Sequence, residues 1–166
     1  MKNKEMNQRP GKNNKSPLNL ALNYLTHRSR SVYEIQEYLI NKGFNEDIVR
    51  DTVEILLEKQ YVNDIIFTRN FVENRMNNKP KSKYALAYEL NKKGIESSII
   101  EDVLKGYDDH ELALKALGKK IQLWTHLDGE KFKKKILNFL QYRGFNYDIS
   151  ISLINRLNQS EQRNLK

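Results

Sequence analysis

Few residues in this chain of 166 could carry out chemistry. Its three histidines, His27, His110 and His126, share no metal-ligand spacing with one another. Asp108-Asp109-His110 is an acidic cluster beside a histidine, but it stands where a helix begins, so helix capping is its expected role. Gly11-Lys12 matches a fragment of a phosphate loop and lacks the first glycine, the following Ser/Thr and a preceding strand. No nucleophile elbow, zinc-protease motif or glycine-rich dinucleotide loop occurs. Glu46 and Asp47 lie side by side at a helix start and need no catalytic explanation. The chain contains no cysteine, which excludes disulfide and thiolate chemistry. These residues predict a protein that is not an enzyme and that uses no metal or cofactor.

The basic residues are more informative. Net charge is +8, and segments 1–17, 18–60, 61–106, 107–158 and 159–166 carry +4, −2, +2, +3 and +1. A basic tail and basic later segments suit a polyanionic neighbour such as nucleic acid, or a solubilising surface. Lys42, Lys92 with Lys93, and Arg143 each directly precede a glycine. There they complement a helix C-terminus and could also form a spaced row of cations. Lys131-Phe132-Lys133-Lys134-Lys135-Ile136 is denser. With Phe132, Ile136, Phe139, Leu140 and Arg143 as its buried stripe, Lys131, Lys134 and Lys135 share the wet side. Together with Lys119 and Lys120 they form the best candidate polyanion patch. Trp124 is expected to pack between helices. Tyr84, Tyr88 and Tyr142 are expected at helix-packing positions.

The elements that position these residues come from one decapeptide pattern written three times: "LINKGFNEDI" at 39–48, "LNKKGIESSI" at 90–99 and "LQYRGFNYDI" at 140–149. Before each glycine stand apolar pairs at helical spacing: Ile35/Leu39, Leu86/Leu90 and Ile136/Leu140. Gly43, Gly94 and Gly144 are therefore predicted helix caps in the left-handed conformation. Phe44, Ile95 and Phe145 should close a Schellman motif against Leu39, Leu90 and Leu140. A second helix follows each stop, with Asn45 and Asn146 as N-caps. Its inward face is read as Ile48, Thr52, Val53 and Leu56; then Ile99, Val103 and Leu104; then Ile149, Leu153, Ile154 and Leu157.

Each pair has a helix upstream: Leu18–Arg28, ending before the capping box Ser31-Val32-Tyr33-Glu34; Asp64–Asn77, ended by Pro80; and Asp109–Trp124. The expected fold is all-α, with nine helices in three tandem three-helix, helix-turn-helix-like repeats forming an elongated, curved array. The repeats span 18–60, 61–106 and 107–158, between tails at 1–17 and 159–166. No stretch has the length and apolarity of a membrane span or a signal-peptide core, so a cytoplasmic location is expected.

A helix-turn-helix would place the second helix of a repeat in the DNA major groove. The first repeat argues against that. Its second helix carries Glu46, Asp47, Asp51, Glu54 and Glu58 against Arg50 and Lys59, and phosphates would repel it.

The sequence resembles the RecX family of regulators of the RecA recombinase over about residues 20–158. The resemblance rests on "ALNYLTHRSRSVYEIQEYLINKGF" (21–44), "EKQYVNDIIFTRNFVENRM" (58–76), "ALAYELNKKGI" (85–95) and "KKKILNFLQYRGF" (133–145). In the second of these, Asp64, Phe67, Phe71 and Arg75 stand in the family's positions. Asn63 replaces an acid often found there, and Asp64 is expected to cap the helix. The resemblance implies three three-helix repeats. It also implies a non-catalytic monomer that binds RecA filaments on single-stranded DNA in the helical groove. Such a protein suppresses ATP hydrolysis, strand exchange and SOS co-protease activity. The alternative reading is a protein of tandem helix-turn-helix type that binds DNA directly, like a transcription factor.

Overall fold

The computed structural model describes residues 16–118, 120–124 and 126–164, with side chains as far as Leu157. Secondary structure within these residues is entirely helical: α1 (Pro17–His27), α2 (Val32–Asn41), α3 (Glu46–Glu58), α4 (Asp64–Asn78), α5 (Lys83–Asn91), α6 (Ser97–Leu104), α7 (Asp109–Leu117), α8 (Lys120–Trp124), α9 (Gly129–Tyr142) and α10 (Tyr147–Asn164). The chain separates into two compact units at Val62/Asn63.

In the first unit, α1–α3 enclose Ala21, Ile35, Leu39, Val49, Val53, Leu56 and Val62. The turn between α1 and α2 carries the expected capping box. Ser31 Oγ accepts from Glu34 N–H, and the Glu34 carboxylate accepts from Ser31 N–H. Arg28 fixes the same carboxylate with two bonds of 2.8 and 3.2 Å.

The second unit holds two repeats. Phe67, Val72, Leu86, Leu90, Ile95, Ile100 and Leu104 form the core of α4–α6. Leu112, Leu117, Phe132, Ile136, Leu140, Phe145, Ile149, Leu153 and Ile154 form that of α7–α10. Met76 and Tyr107 pack against both cores and join them.

All three glycine stops are Schellman motifs. Gly43, Gly94 and Gly144 have φ of 90°, 70° and 85°. The N–H of the following residue bonds to the carbonyl five back: Phe44 to Leu39 at 3.3 Å, Ile95 to Leu90 at 3.2 Å and Phe145 to Leu140 at 3.0 Å. The glycine N–H groups bond to Ile40, Asn91 and Gln141, each at 2.9 Å. Two further expectations hold locally, since Asn45 and Asn146 accept from Ile48 and Ile149 N–H at 2.9 and 2.8 Å.

The third stop is also a joint between repeats. A Cβ on Gly144 would lie 2.7 Å from both Ala85 Cβ and Ser82 Oγ. Around it, Ser82 N–H donates to the Arg143 carbonyl at 3.1 Å and Arg143 Nη1 to the Pro80 carbonyl at 3.0 Å. Lys83 N–H donates to Asp109 Oδ1 at 2.8 Å. The start of α5 is thus capped by the third repeat as well as by its own Ser82.

Several expectations are corrected. The upstream helix of the third repeat is not continuous from Asp109 to Trp124: α7 stops at Gly118, whose φ of 33° ends the helix, and α8 follows. Asn63, not Asp64, caps α4 by accepting from Ile65 and Ile66 N–H. Val49 replaces Ile48 on the inward face of α3, because the stripe 49-52-53-56 puts Ile48 at its rim, 39% exposed. Ile100 and Leu104 are the buried residues of α6, with Ile99 and Val103 half-buried beside them. Tyr84, Tyr88 and Tyr142 are 78%, 54% and 86% exposed. Each stands two residues from a buried leucine (Leu86, Leu90 or Leu140), and on a helix that spacing points to the opposite side.

One carboxylate ties the second repeat together. Glu89 of α5 accepts from Arg75 Nε of α4 at 2.8 Å and from Lys81 Nζ, which precedes α5. Burial alone would push Glu89 up. The hydrogen bonds from Lys81 and Arg75 outweigh it and hold the carboxyl below its ordinary value.

Two outcomes follow for chemical denaturation. Gly43→Ala meets open space and should cost about 1–2 kcal/mol, the left-handed penalty alone. Gly144→Ala should cost distinctly more, because the new methyl also collides with Ala85 and Ser82. Because the Glu89 carboxyl titrates lower folded than unfolded, its contribution is complete above the unfolded value of about 4.3 and fades as pH falls below it. The stability gap between wild type and Glu89→Gln should therefore be widest near neutrality and close in acid. A gap that widened in acid would contradict the geometry.

Candidate partner and nucleic-acid interface

The base before each glycine sits in the last turn of a helix, where positive charge is favourable. In every repeat it also rests on an aromatic ring. In the first repeat, Lys42 Nζ lies 5.3 Å from the Tyr38 ring. Tyr38 stacks on Tyr24 of α1 with centroids 4.1 Å apart and planes at 7°. Arg30 closes the far side at 3.8 Å from the Tyr24 ring. The third repeat has a similar order. Arg143 lies 4.9 Å over Phe139, Phe139 meets Trp124 edge-on at 5.4 Å, and Lys135 lies 5.9 Å over Trp124.

The second repeat departs from this order because Glu89 occupies the place of Tyr38 and Phe139. Lys93 instead approaches Phe67 and Phe71 at 5.9 and 5.7 Å, and Arg75 shares Phe71 at 5.0 Å. Lys92 rests on Tyr88 at 4.5 Å. A cation over a ring face keeps its charge, and at an exposed site the contact is worth about 0.5–1 kcal/mol, which biases the side chain towards the ring. One signal for this is legible in the sequence: an aromatic residue four before the base in Tyr38/Lys42, Tyr88/Lys92 and Phe139/Arg143.

The candidate residues differ in availability. Lys42 and Lys92 are exposed, whereas Lys93 and Arg143 are half-buried, and Arg143 also donates to the Pro80 carbonyl. On α9, Lys131, Lys134 and Lys135 are all exposed, and Phe132, Ile136 and Leu140 are buried beneath them. Lys131 pairs with Asp128 at 2.8 Å, and Asp128 also caps α9 through Lys131 N–H. The Lys131 side-chain bond, helped by the backbone bonds, holds the Asp128 carboxyl below its ordinary value. Lys120 is exposed on α8, while Lys119 lies outside the described residues.

Asp108 and Asp109 act as structural groups. Asp108 caps α7 through His110 and Glu111 N–H at 2.8 and 3.0 Å, and Asp109 takes the Lys83 N–H. No cluster of metal-ligating side chains occurs among the described residues. Nor is any helix among them long and apolar enough to cross a membrane. In the first repeat, Glu46, Asp47, Asp51, Glu54 and Glu58 of α3 are all exposed, with Arg50 bonded to Asp47 at 2.8 Å. The second unit thus carries exposed lysines on α9, and the first unit carries an acidic helix, α3.

Comparison with known proteins agrees with this architecture. The family model "RecX, first three-helix domain" matches residues 18–66, the second-domain model 63–104 and the third 107–152. "Regulatory protein RecX" of Chlorobium limicola is 31% identical over 140 residues, covering 84% of this chain and 88% of that protein. The protein of the same name from Lactobacillus johnsonii is 31% identical, over 84% of this chain but 53% of its own length. The crystal structure of RecX from Lactobacillus salivarius superposes with a TM-score of 0.72 at 28% identity, covering 86% of this chain and 95% of that one. With three consecutive domain models matched along most of its length, this chain belongs to the RecX family.

Proposed function

We propose that this chain is a non-catalytic, cytoplasmic regulator that acts as a monomer on RecA filaments formed on single-stranded DNA. It occupies the filament's helical groove and restrains ATP hydrolysis, strand exchange and SOS co-protease activity. Its functional division is into repeats 18–60, 61–106 and 107–158 between two basic tails. Membership of a family of regulatory proteins supports the regulatory part of this reading. The observation that carries the rest is the separation of charge: exposed acids on α3, exposed lysines on α9. The acidic helix is suited to a basic protein surface. Lys120, Lys134, Lys135 and the cap bases Lys42, Lys92, Lys93 and Arg143 are suited to DNA phosphates. Weak contacts from tandem repeats to neighbouring filament subunits add through effective concentration, so no single repeat need bind tightly.

Direct binding to duplex DNA is the competing reading, and α3 disfavours it because its exposed acids would face phosphates. Titrating the chain into the cognate RecA on single-stranded DNA should inhibit ATP hydrolysis well below one molecule per RecA subunit. No inhibition at equimolar protein would sink the filament reading. Reversing charge in Lys134→Glu/Lys135→Glu leaves the buried stripe of α9 untouched. It should weaken filament binding and flatten its salt dependence by about 0.7 log units per log unit of salt for each phosphate no longer neutralised. Unchanged affinity and slope would remove the basic face from the interface while leaving the filament reading open.

A further inference from the structure

The second repeat carries a groove that the cap bases do not explain. It lies between α5 and α6, has a volume of about 450 Å³ and is floored by Ala87, Ile100 and Leu104. That is about three times the roughly 150 Å³ cavity that accepts one benzene molecule. Tyr84 stands at its rim, 78% exposed. Lys83 and Lys105 complete the lining together with Glu101, two bases to one acid. Neither lysine forms an ion pair among the described residues.

We infer that this groove is a docking site for an acidic protein segment that inserts one branched or aromatic side chain. The floor is aliphatic, so entry of an apolar anchor removes water from Ala87, Ile100 and Leu104 and from the anchor itself. The excess positive charge at the rim selects carboxylates flanking the anchor and disfavours basic segments, which would bring a third cation beside Lys83 and Lys105. Tyr84 supplies a rigid ring with a hydroxyl that packs along an incoming peptide at small entropic cost. A nucleic acid strand fits less well. The lining holds a single ring, Tyr84, rather than a run of rings on which successive bases could stack, and it includes the acidic Glu101. The inference is independent of the filament reading, because it rests on the groove alone.

The test uses the full ¹⁵N-labelled chain and two dodecapeptides of Asp and Glu with a single central Leu or Phe. Amide shifts should move at Tyr84–Ala87 and Ile100–Lys105, and the same peptides with Ser at the centre should leave those amides in place. Lys105→Glu, an exposed change at the end of α6, should weaken binding about tenfold with an otherwise unaltered spectrum. Tyr84→Ala should also weaken it. The inference is overturned if neither anchored peptide moves the groove amides at millimolar concentration, or if the Ser peptides move them equally. It is also overturned if an oligodeoxythymidylate moves them where the acidic peptides do not.

Discussion

The left-handed glycine at the end of α2, α5 and α9 is the constraint on which the rest of the structure depends. A helix that ends there reverses direction within two residues. Its last carbonyls are satisfied by the N–H groups of the glycine and of the apolar residue after it. That second bond drives Phe44, Ile95 or Phe145 back onto the leucine five positions earlier, so the turn is closed by core packing as well as by hydrogen bonds. The following helix then has its start defined, and its apolar stripe must meet the stripe of the helix just ended. Each repeat is built around this corner. The third corner has a further duty, because Gly144 is the point where α5 approaches too closely for any side chain.

The same corners organise the charge. A base stands just before each glycine at a helix C-terminus, exposed at Lys42 and half-buried at Lys93 and Arg143. In the first and third repeats the ring one turn earlier gives its stem a surface to lie on. This builds a cation–ring–ring–cation series in both, with the rings stacked in the first and edge-on in the third. In the second repeat the ring is replaced by Glu89, which forms an internal bridge with Arg75 and Lys81 instead. That repeat directs less of its charge into a stack. It also opens the apolar groove between α5 and α6, so its chemistry differs from that of its neighbours even though its backbone path is alike.

The local rules are legible in the sequence: the three glycine stops, the capping box at Ser31, the Asn45 and Asn146 caps, the stripes at Ile35/Leu39, Leu86/Leu90 and Ile136/Leu140, and the exposure of Lys131, Lys134 and Lys135. All depend on residues within one turn of each other, where spacing and side-chain type are sufficient. The expectations that differ from the structure lie at the edge or far side of a stripe, or at a local cap or stop, as where Asn63 rather than Asp64 caps α4. Ile48 fits an inward spacing and lies at the rim. Tyr84, Tyr88 and Tyr142 have the size of packing residues and face outward. The break at Gly118 turns on a single positive φ inside an otherwise helical pattern. Tertiary structure alone decided that Arg143 donates to Pro80, that Asp109 caps the backbone at Lys83 in another repeat, and that Lys83 and Lys105 flank one apolar groove. These pairs are separated in sequence by 63, 26 and more than one helix, and no local spacing encodes which distant residue the folded chain brings alongside.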